Sequence, residues 1–196
     1  MIDFVTATIL IILFFPIFVV VYLSIGVTTW SNPFFVQSRP GKNEELFKII
    51  KFKTMNDRRD NNGELLPDKD RLTKIGRILR KTSIDELPQL LNVIKGEMSF
   101  IGPRPLLIRY LPYYSQEERI RHTVLPGITG LAQVTGRNLL NWDERLLADV
   151  KYVNSITPLV DLKILLATIG NVILSKDIAV DPNAVIKDLD EERKHI

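Results

Sequence analysis

Asp85 and Glu86 are adjacent carboxylates set between a cationic stretch, Arg71 to Lys81, and the stiff tripeptide Pro103-Arg104-Pro105. One carboxylate of such a pair can act as a nucleophile while the other holds a divalent cation. The Arg and Lys side chains around them suit a phosphorylated substrate. A guanidinium flanked by two prolines is presented in a defined direction, which favours bidentate phosphate binding. The same residues admit plainer roles: Asp85 as a helix cap, Glu86 as first-turn polarity and Arg104 as part of a solvated turn.

The elements that must position these groups are partly legible. Leu72, Ile75, Ile78 and Leu79 recur at helical spacing among Arg71, Lys74, Arg77, Arg80 and Lys81, which predicts an amphipathic helix. Its cationic face is either solvated or laid in a lipid headgroup layer. Ser83 and Glu86 have the spacing of a capping box, which predicts a helix from there to about Lys95 with Gly96 as its stop. Pro88 is best tolerated in the first turn, so Asp85 could itself be the N-cap. Ser31 to Gly41 reads as irregular, Leu46 to Thr54 as a short strand or helix end, and Asp57 to Asp70 as a polar loop. Pro126 to Asn138 is glycine-rich and predicts a short strand or hairpin ending at Arg137. Its glycines lack the spacing of a dinucleotide or P-loop cradle. Asp143 to Asn154 reads as helical. Val160 to Ser175 is apolar but short for a span, so a buried or interfacial helix is expected. Residues 176–196 read as a polar tail.

The chain opens on a segment of different character. Residues 4–27 carry no charge and are long enough to cross a bilayer of about 30 Å. No basic leader or small-residue cleavage site precedes a mature start, which argues against a signal peptide. Pro16 lies near the middle and predicts a kink or break. A kinked spanning helix and a re-entrant hairpin of two half-helices are both compatible with it. Tyr22, Trp30 and Phe34-Phe35 are candidate interface anchors. Arg39, Lys42, Lys48, Lys51 and Lys53 follow, which places the remainder in the cytoplasm by the positive-inside rule.

Composition narrows the chemistry. Net charge is +3 over 196 residues, with the cations concentrated in the first half of the polar part. Such clusters favour phosphates, lipid headgroups or nucleic acid, but no nucleic-acid recognition motif accompanies them. With no cysteine, disulfides and Cys-ligated metals are excluded. The two histidines, His122 and His195, cannot build a His-rich metal cluster. A metal here should be a hard cation such as Mg²⁺, held by carboxylates and substrate phosphates. No nucleophile-elbow motif supports a Ser-His-Asp triad around His122.

Four blocks occur in an order that identifies a family: KFKTM at Lys51–Met55, SIDELPQL at Ser83–Leu90, NVIKGEMSFIGPRP at Asn92–Pro105 and RHTVLPGITGLAQVTGR at Arg121–Arg137. The chain, from its apolar segment to about Ser175, resembles the bacterial sugar transferases, the small monotopic phosphoglycosyl transferases that act on polyprenol phosphate. It looks most like the short enzymes that start glycoprotein or surface-glycan assembly. The resemblance implies a mostly α fold with little β-structure. It implies a re-entrant membrane helix (1–30) broken at Pro16, a small cytosolic catalytic domain with interfacial helices (31–175) and the tail (176–196). It implies that Asp85 attacks the β-phosphorus of a UDP-sugar, releases UMP and carries a phosphosugar to undecaprenyl (polyprenyl) phosphate, in the inner membrane. Glu86 matches the Mg²⁺-associated carboxylate. Arg80, Arg104 and Arg137 match cations near the phosphates, and Lys51 and Asp161 match further polar positions of the site. An N-acetylated aminosugar donor, of the N,N′-diacetylbacillosamine type, and downstream glycosyltransferases as partners are expected on resemblance alone. The chain has Phe15 where many relatives carry Ser before the proline. A one-step ternary-complex transferase, with Asp85 as base or metal ligand, and a non-catalytic membrane scaffold are the competing expectations.

Overall fold

The computed structural model describes residues 1–29, 31–136, 140–174 and 188–194. The apolar segment forms one helix, α1 (Ile2–Thr29), with Pro16 inside it. The interruption expected at Pro16 is therefore not a gap in the helix. Proline removes its own N–H bond to the carbonyl four residues back, and the rest of the ladder continues on either side. Ile12, Leu13, Val20 and Val27 are exposed, and only Ala7, Val21 and Ile25 are buried. A helix this apolar with so much of its surface uncovered fits a membrane-associated element rather than a core helix.

Both halves of α1 seat on the following domain. Ala7, Leu10 and Ile11 pack with Leu90, Val93 and Ile49, while Phe18, Val21 and Ile25 pack with Phe52 and Leu79. Asp3 Oδ2 accepts a hydrogen bond from Ser99 Oγ at 2.6 Å. At 1.5 Å per residue, Ala7 and Ile25 are roughly 27 Å apart along a straight helix. The helix thus runs along the domain instead of pointing away from it.

β1 (Phe34–Pro40) pairs antiparallel with β2 (Leu46–Phe52), in register from Phe34 opposite Phe52 to Pro40 opposite Leu46. The irregular segment expected over 31–41 is instead mostly a strand. Its sequence alternates too weakly to reveal it, and its partner supplies the order: Phe34 stacks on Phe52 with centroids 5.5 Å apart. Pro40 ends the strand, where a missing donor costs nothing.

After the short α2 (Asp68–Arg71) comes α3 (Lys74–Thr82), capped by Thr73, whose hydroxyl accepts from Gly76 N at 2.9 Å. Gly76 lies flush on the chain leaving β2, and a Cβ there would fall 1.9 Å from the Thr54 carbonyl oxygen. The capping box expected at Ser83 does not form. Ser83 adopts φ 57° and terminates α3, and residues 84–86 make a single 3₁₀ turn before α4 (Gln89–Ile94). The reason is Glu86: its side chain is drawn to two cations instead of reaching back to Ser83. Gly96, at φ 75°, follows α4 as expected.

β3 (Ser99–Ile101) and β4 (Gly127–Thr129) form a parallel pair, not a hairpin. Gly102 and Gly127 cross so closely that a Cβ on Gly127 would lie 2.1 Å from Gly102 N. That crossing fixes where the chain enters Pro103-Arg104-Pro105. α5 (Leu131–Thr135) and α6 (Trp142–Asn154) follow, α6 opening with an Asn141–Glu144 capping box. α7 (Pro158–Ile173) exposes Leu159, Leu162, Leu166 and Ile169 along one face, so it is not the buried helix the sequence allowed. The polar tail is partly docked: α8 (Leu189–Glu192) buries Leu189 completely against Tyr110, Trp142 and Leu146. Arg193 bonds both oxygens of Glu118 at 2.8 Å. The domain is mainly helical with little β-structure, as the sequence implies.

Candidate active site

Three elements converge on the carboxylate pair. Asp85 and Glu86 sit in the 3₁₀ turn between α3 and α4, Lys51 on β2, and Arg104 in the loop after β3. Glu86 Oε1 accepts from Lys51 Nζ at 2.7 Å and from Arg104 Nη2 at 2.6 Å. The Asp85 side chain makes no hydrogen bond or ion pair among the described residues. The two neighbours are therefore in different states. Burial and the adjacent Glu86 charge push the Asp85 carboxyl up to about 6, against the opposing pull of Lys51, Arg104 and Arg80. Burial also works against the charge on Glu86, but Arg104 and Lys51 outweigh it and hold that carboxyl well below the usual range. Asp85 is the less stabilised anion, which is what a nucleophile needs.

The pair opens into a cavity of about 1150 Å³ whose wall includes Lys51, Arg80, Asp85, Glu86 and Arg104 together with Leu10 and Phe14 of α1. Cationic and apolar-helix surfaces thus share one space. Arg80 is held by Nε donating to Thr54 Oγ1 at 3.0 Å. Asp161 is placed elsewhere: at the start of α7 it accepts from the Tyr152 hydroxyl at 2.9 Å and does not line the cavity. Arg137 lies outside the described residues, as do Trp30 and His195. Pro16 is not on the cavity wall, although Phe14 is.

Sequence reasoning missed a second charged layer. Arg121 and Asp149 form a pair with side chains only 2% exposed, with Oδ2 accepting from Nε at 3.1 Å and from Nη2 at 2.9 Å. Arg121 Nη2 also donates to the Arg104 carbonyl at 2.6 Å, and Nη1 to the Tyr114 hydroxyl at 3.1 Å. This layer holds the backbone that presents Arg104. Arg121 lies in a family block, yet nothing local marks a partner 28 residues away. Arg39, Arg145 and Gln133 also reach the cavity wall without having been singled out. His122 is structural: its buried ring places Nδ1 3.1 Å from the Gly41 carbonyl, and burial lowers its pKa to about 4, so it is neutral at pH 7.

Among the described residues no group of three or more His, Asp and Glu could enclose a metal. The second oxygen of Glu86, which no described hydrogen bond engages, fits Mg²⁺ shared with substrate phosphates, since that ion is commonly held by one or two carboxylates plus phosphate oxygens.

Comparison with known proteins places the chain in a family. Residues 1–175 match the family model described as bacterial sugar transferase. The chain is 53% identical over 159 residues to an uncharacterized sugar transferase, EpsL, of Bacillus subtilis, covering 81% of this chain and 77% of that one. It is 35% identical over 191 residues to the exopolysaccharide production protein ExoY of Rhizobium meliloti, covering 89% and 84%. It is 39% identical over 181 residues to a UDP-glucose:undecaprenyl-phosphate glucose-1-phosphate transferase of Caulobacter vibrioides, covering 87% and 68%. With the family model spanning most of its length, and a carboxylate pair set among cations beside an apolar helix, this chain belongs to the bacterial sugar transferases and is a phosphoglycosyl transferase.

Proposed function

We propose that the protein transfers a sugar 1-phosphate from a UDP-sugar to undecaprenyl (polyprenyl) phosphate, through a phosphosugar carried on Asp85. The observation that carries this reading is the asymmetry of the acid pair: Glu86 is clamped by Lys51 and Arg104, and Asp85 is left unpaired on the cavity wall. In the first step an Asp85 oxygen forms a bond to the β-phosphorus. The bond from that phosphorus to the bridging oxygen breaks, and UMP leaves with the electron pair. Lys51, Arg80 and Arg104 offset the charge on the phosphates as the anionic nucleophile approaches. In the second step an oxygen of polyprenyl phosphate attacks the same phosphorus, and the Asp85 carboxylate is released. Mg²⁺, held by Glu86 and the substrate phosphates, would supply Lewis-acid charge neutralisation. An N-acetylated aminosugar remains the expected donor, while named relatives act on UDP-glucose.

The reaction belongs at a cytoplasmic membrane face. Both halves of α1 seat on one domain surface, which supports a re-entrant helix whose ends return to the same side. Leu10 and Phe14 bring the cavity wall to that helix, where the polyprenyl chain would lie. The domain division at about residues 30 and 175 follows from this reading.

Two experiments test it. UDP-sugars are offered with Mg²⁺ and no acceptor, then intact mass is measured. One sugar-phosphate adduct per chain is expected with the true donor, with UMP released in equal amount, and neither with Asp85→Asn. UMP release that strictly requires the lipid acceptor, with no adduct, would favour the one-step transferase. For topology, the absence of native cysteine allows single Ile2→Cys and Ser31→Cys labels. A membrane-impermeant maleimide should reach both from the cytoplasmic side only, and labelling from opposite sides would establish a spanning helix.

A further inference from the structure

Residues 188–193 lie beyond the part of the chain that the family model matches, 1–175, yet they are built into the domain. Leu189 has no exposed surface and sits in one cluster with Leu106, Tyr110, Trp142 and Leu146. Polar bonds flank it on both sides. Before it, Asp188 accepts from the Tyr110 hydroxyl at 2.5 Å and pairs with Arg109. After it, Arg193 donates to the Tyr113 carbonyl at 2.9 Å, to both oxygens of Glu118 at 2.8 Å and to Asp143 Oδ1 at 2.5 Å. One helical turn thus grips the 3₁₀ segment Ile108–Tyr113, which follows Pro103-Arg104-Pro105, and the first turn of α6. The Arg109 and Asp143 pairs are exposed and weak alone. Burial of Leu189 supplies the affinity, and the polar bonds set the register.

A chain of contacts leads from this grip to the cavity wall. Tyr110, bonded to Asp188, meets Trp142 edge-on with ring centroids 5.2 Å apart. The Arg145 guanidinium lies over the Trp142 ring, 4.7 Å from its centroid. Arg145 lines the same cavity as Asp85, Glu86, Lys51 and Arg104, and so does Leu106 of the Leu189 cluster. An arginine that must be ordered when a ligand arrives costs affinity through its side-chain entropy. A guanidinium stacked on a fixed ring is ordered beforehand, and its planar face suits that stacking. The ring stays fixed only while its surroundings do. The C-terminal turn bonds both of them: Tyr110 against the ring, and Asp143 next to Trp142 in the chain.

We propose that residues 188–193 are an intramolecular clasp that positions Arg145, through Tyr110 and Trp142, to meet a phosphate group of a substrate. Asp188, Leu189 and Arg193 are positioning residues, and Arg145 is the group that touches the ligand. The phosphate belongs to the nucleotide donor or to the polyprenyl carrier. The inference rests on the UDP-sugar reading only for the donor arm of its test.

The test uses the full chain in lipid nanodiscs with Trp30→Phe, which leaves Trp142 as the one tryptophan. It is compared with a chain ending at Lys187, with Arg145→Met and with both changes together. Equilibrium binding is measured for UDP and, separately, for farnesyl phosphate. For the ligand that Arg145 meets, Arg145→Met should weaken binding about tenfold and the shortened chain about three- to tenfold. The combined variant should be no weaker than Arg145→Met, as expected of two changes to one contact. Trp142 emission should shift to the red in the shortened chain. Loss for UDP alone assigns the donor phosphates, and loss for farnesyl phosphate alone assigns the carrier. Losses that multiply in the combined variant, or unchanged Trp142 emission, overturn the proposal. So does a shortened chain that unfolds at lower temperature but binds both ligands as before, since its tail would then only stabilise the fold. If the shortened chain does not fold, Asp188→Asn with Arg193→Gln takes its place under the same criteria. Binding of farnesyl phosphate but not UDP by the full chain would remove the UDP-sugar reading and leave the clasp to be decided on the carrier arm.

Discussion

Among the described residues, two ion-paired clusters, one partly exposed and one buried, are finished differently. Around Glu86, a lysine and an arginine converge on one carboxylate oxygen while the neighbouring Asp85 is left bare. Around Asp149, Arg121 spends its guanidinium on the carboxylate, on a tyrosine hydroxyl and on the Arg104 carbonyl, almost wholly out of solvent. The first cluster keeps an unstable anion next to open space. The second is nearly closed and fixes the backbone from which Arg104 reaches the first. On the proposed mechanism one cluster holds reactivity and the other holds geometry, and they are linked through Arg104.

That contrast can be broken from either side. The largest effect should come from Asp85→Asn. On the proposed mechanism turnover should fall on the order of 10³-fold or more, as for loss of a covalent nucleophile. Stability should not fall with it. Because the folded protein holds the Asp85 carboxyl at about 6, above the ordinary carboxyl value, ionised Asp85 works against folding at neutral pH. That penalty is absent below the ordinary carboxyl pKa and reaches its full size once pH rises above about 6. Thermal unfolding at pH 7.5 should therefore show an equal or higher midpoint for the Asn variant. A lower midpoint would mean that Asp85 is structurally satisfied after all.

Arg121→Met attacks the other cluster. It leaves Asp149 buried without its cation and should destabilise the fold by about 3 kcal/mol or more in denaturant unfolding. Adding Asp149→Leu should restore part of that loss, because the uncompensated charge is then gone. A double variant no better than the single would show that Arg121 acts mainly through Tyr114 and Arg104.

A smaller effect sharpens the comparison. Dependence of kcat/KM on pH reports the free enzyme. On the proposed mechanism the acid limb should fall tenfold per unit below about 6, because there only the carboxylate form of Asp85 attacks. Lys51→Met removes a cation that favours that carboxylate, so the limb should move to higher pH. A limb that stays in place would separate Lys51 from Asp85 electrostatically.

How much of this was legible in the sequence depends on the range of each interaction. Adjacent carboxylates, a cationic helix, an arginine between prolines and an uncharged opening segment are local patterns, and each is where the sequence placed it. Lys51 and Arg104 fall in family blocks, Arg80 was matched by the resemblance outside them, and all three line the cavity. Ser83 shows how a local rule is overridden: its capping spacing is intact, but Glu86 gains more from two cations than from a backbone N–H. The strand over 34–40 depends on Phe52, and the Arg121–Asp149 pair spans 28 residues, so neither leaves a local signature.

The seating of α1 has a practical corollary. Ala7 is completely enclosed among Leu90, Val93 and Ile49, and Leu10 and Phe14 help wall the catalytic space. The apolar helix is thus also a structural wall of the enzyme. A shortened protein beginning after Thr29 would not be the same catalyst released from its tether. It would lack one side of its reaction chamber, and its exposed greasy scar would drive it to aggregate.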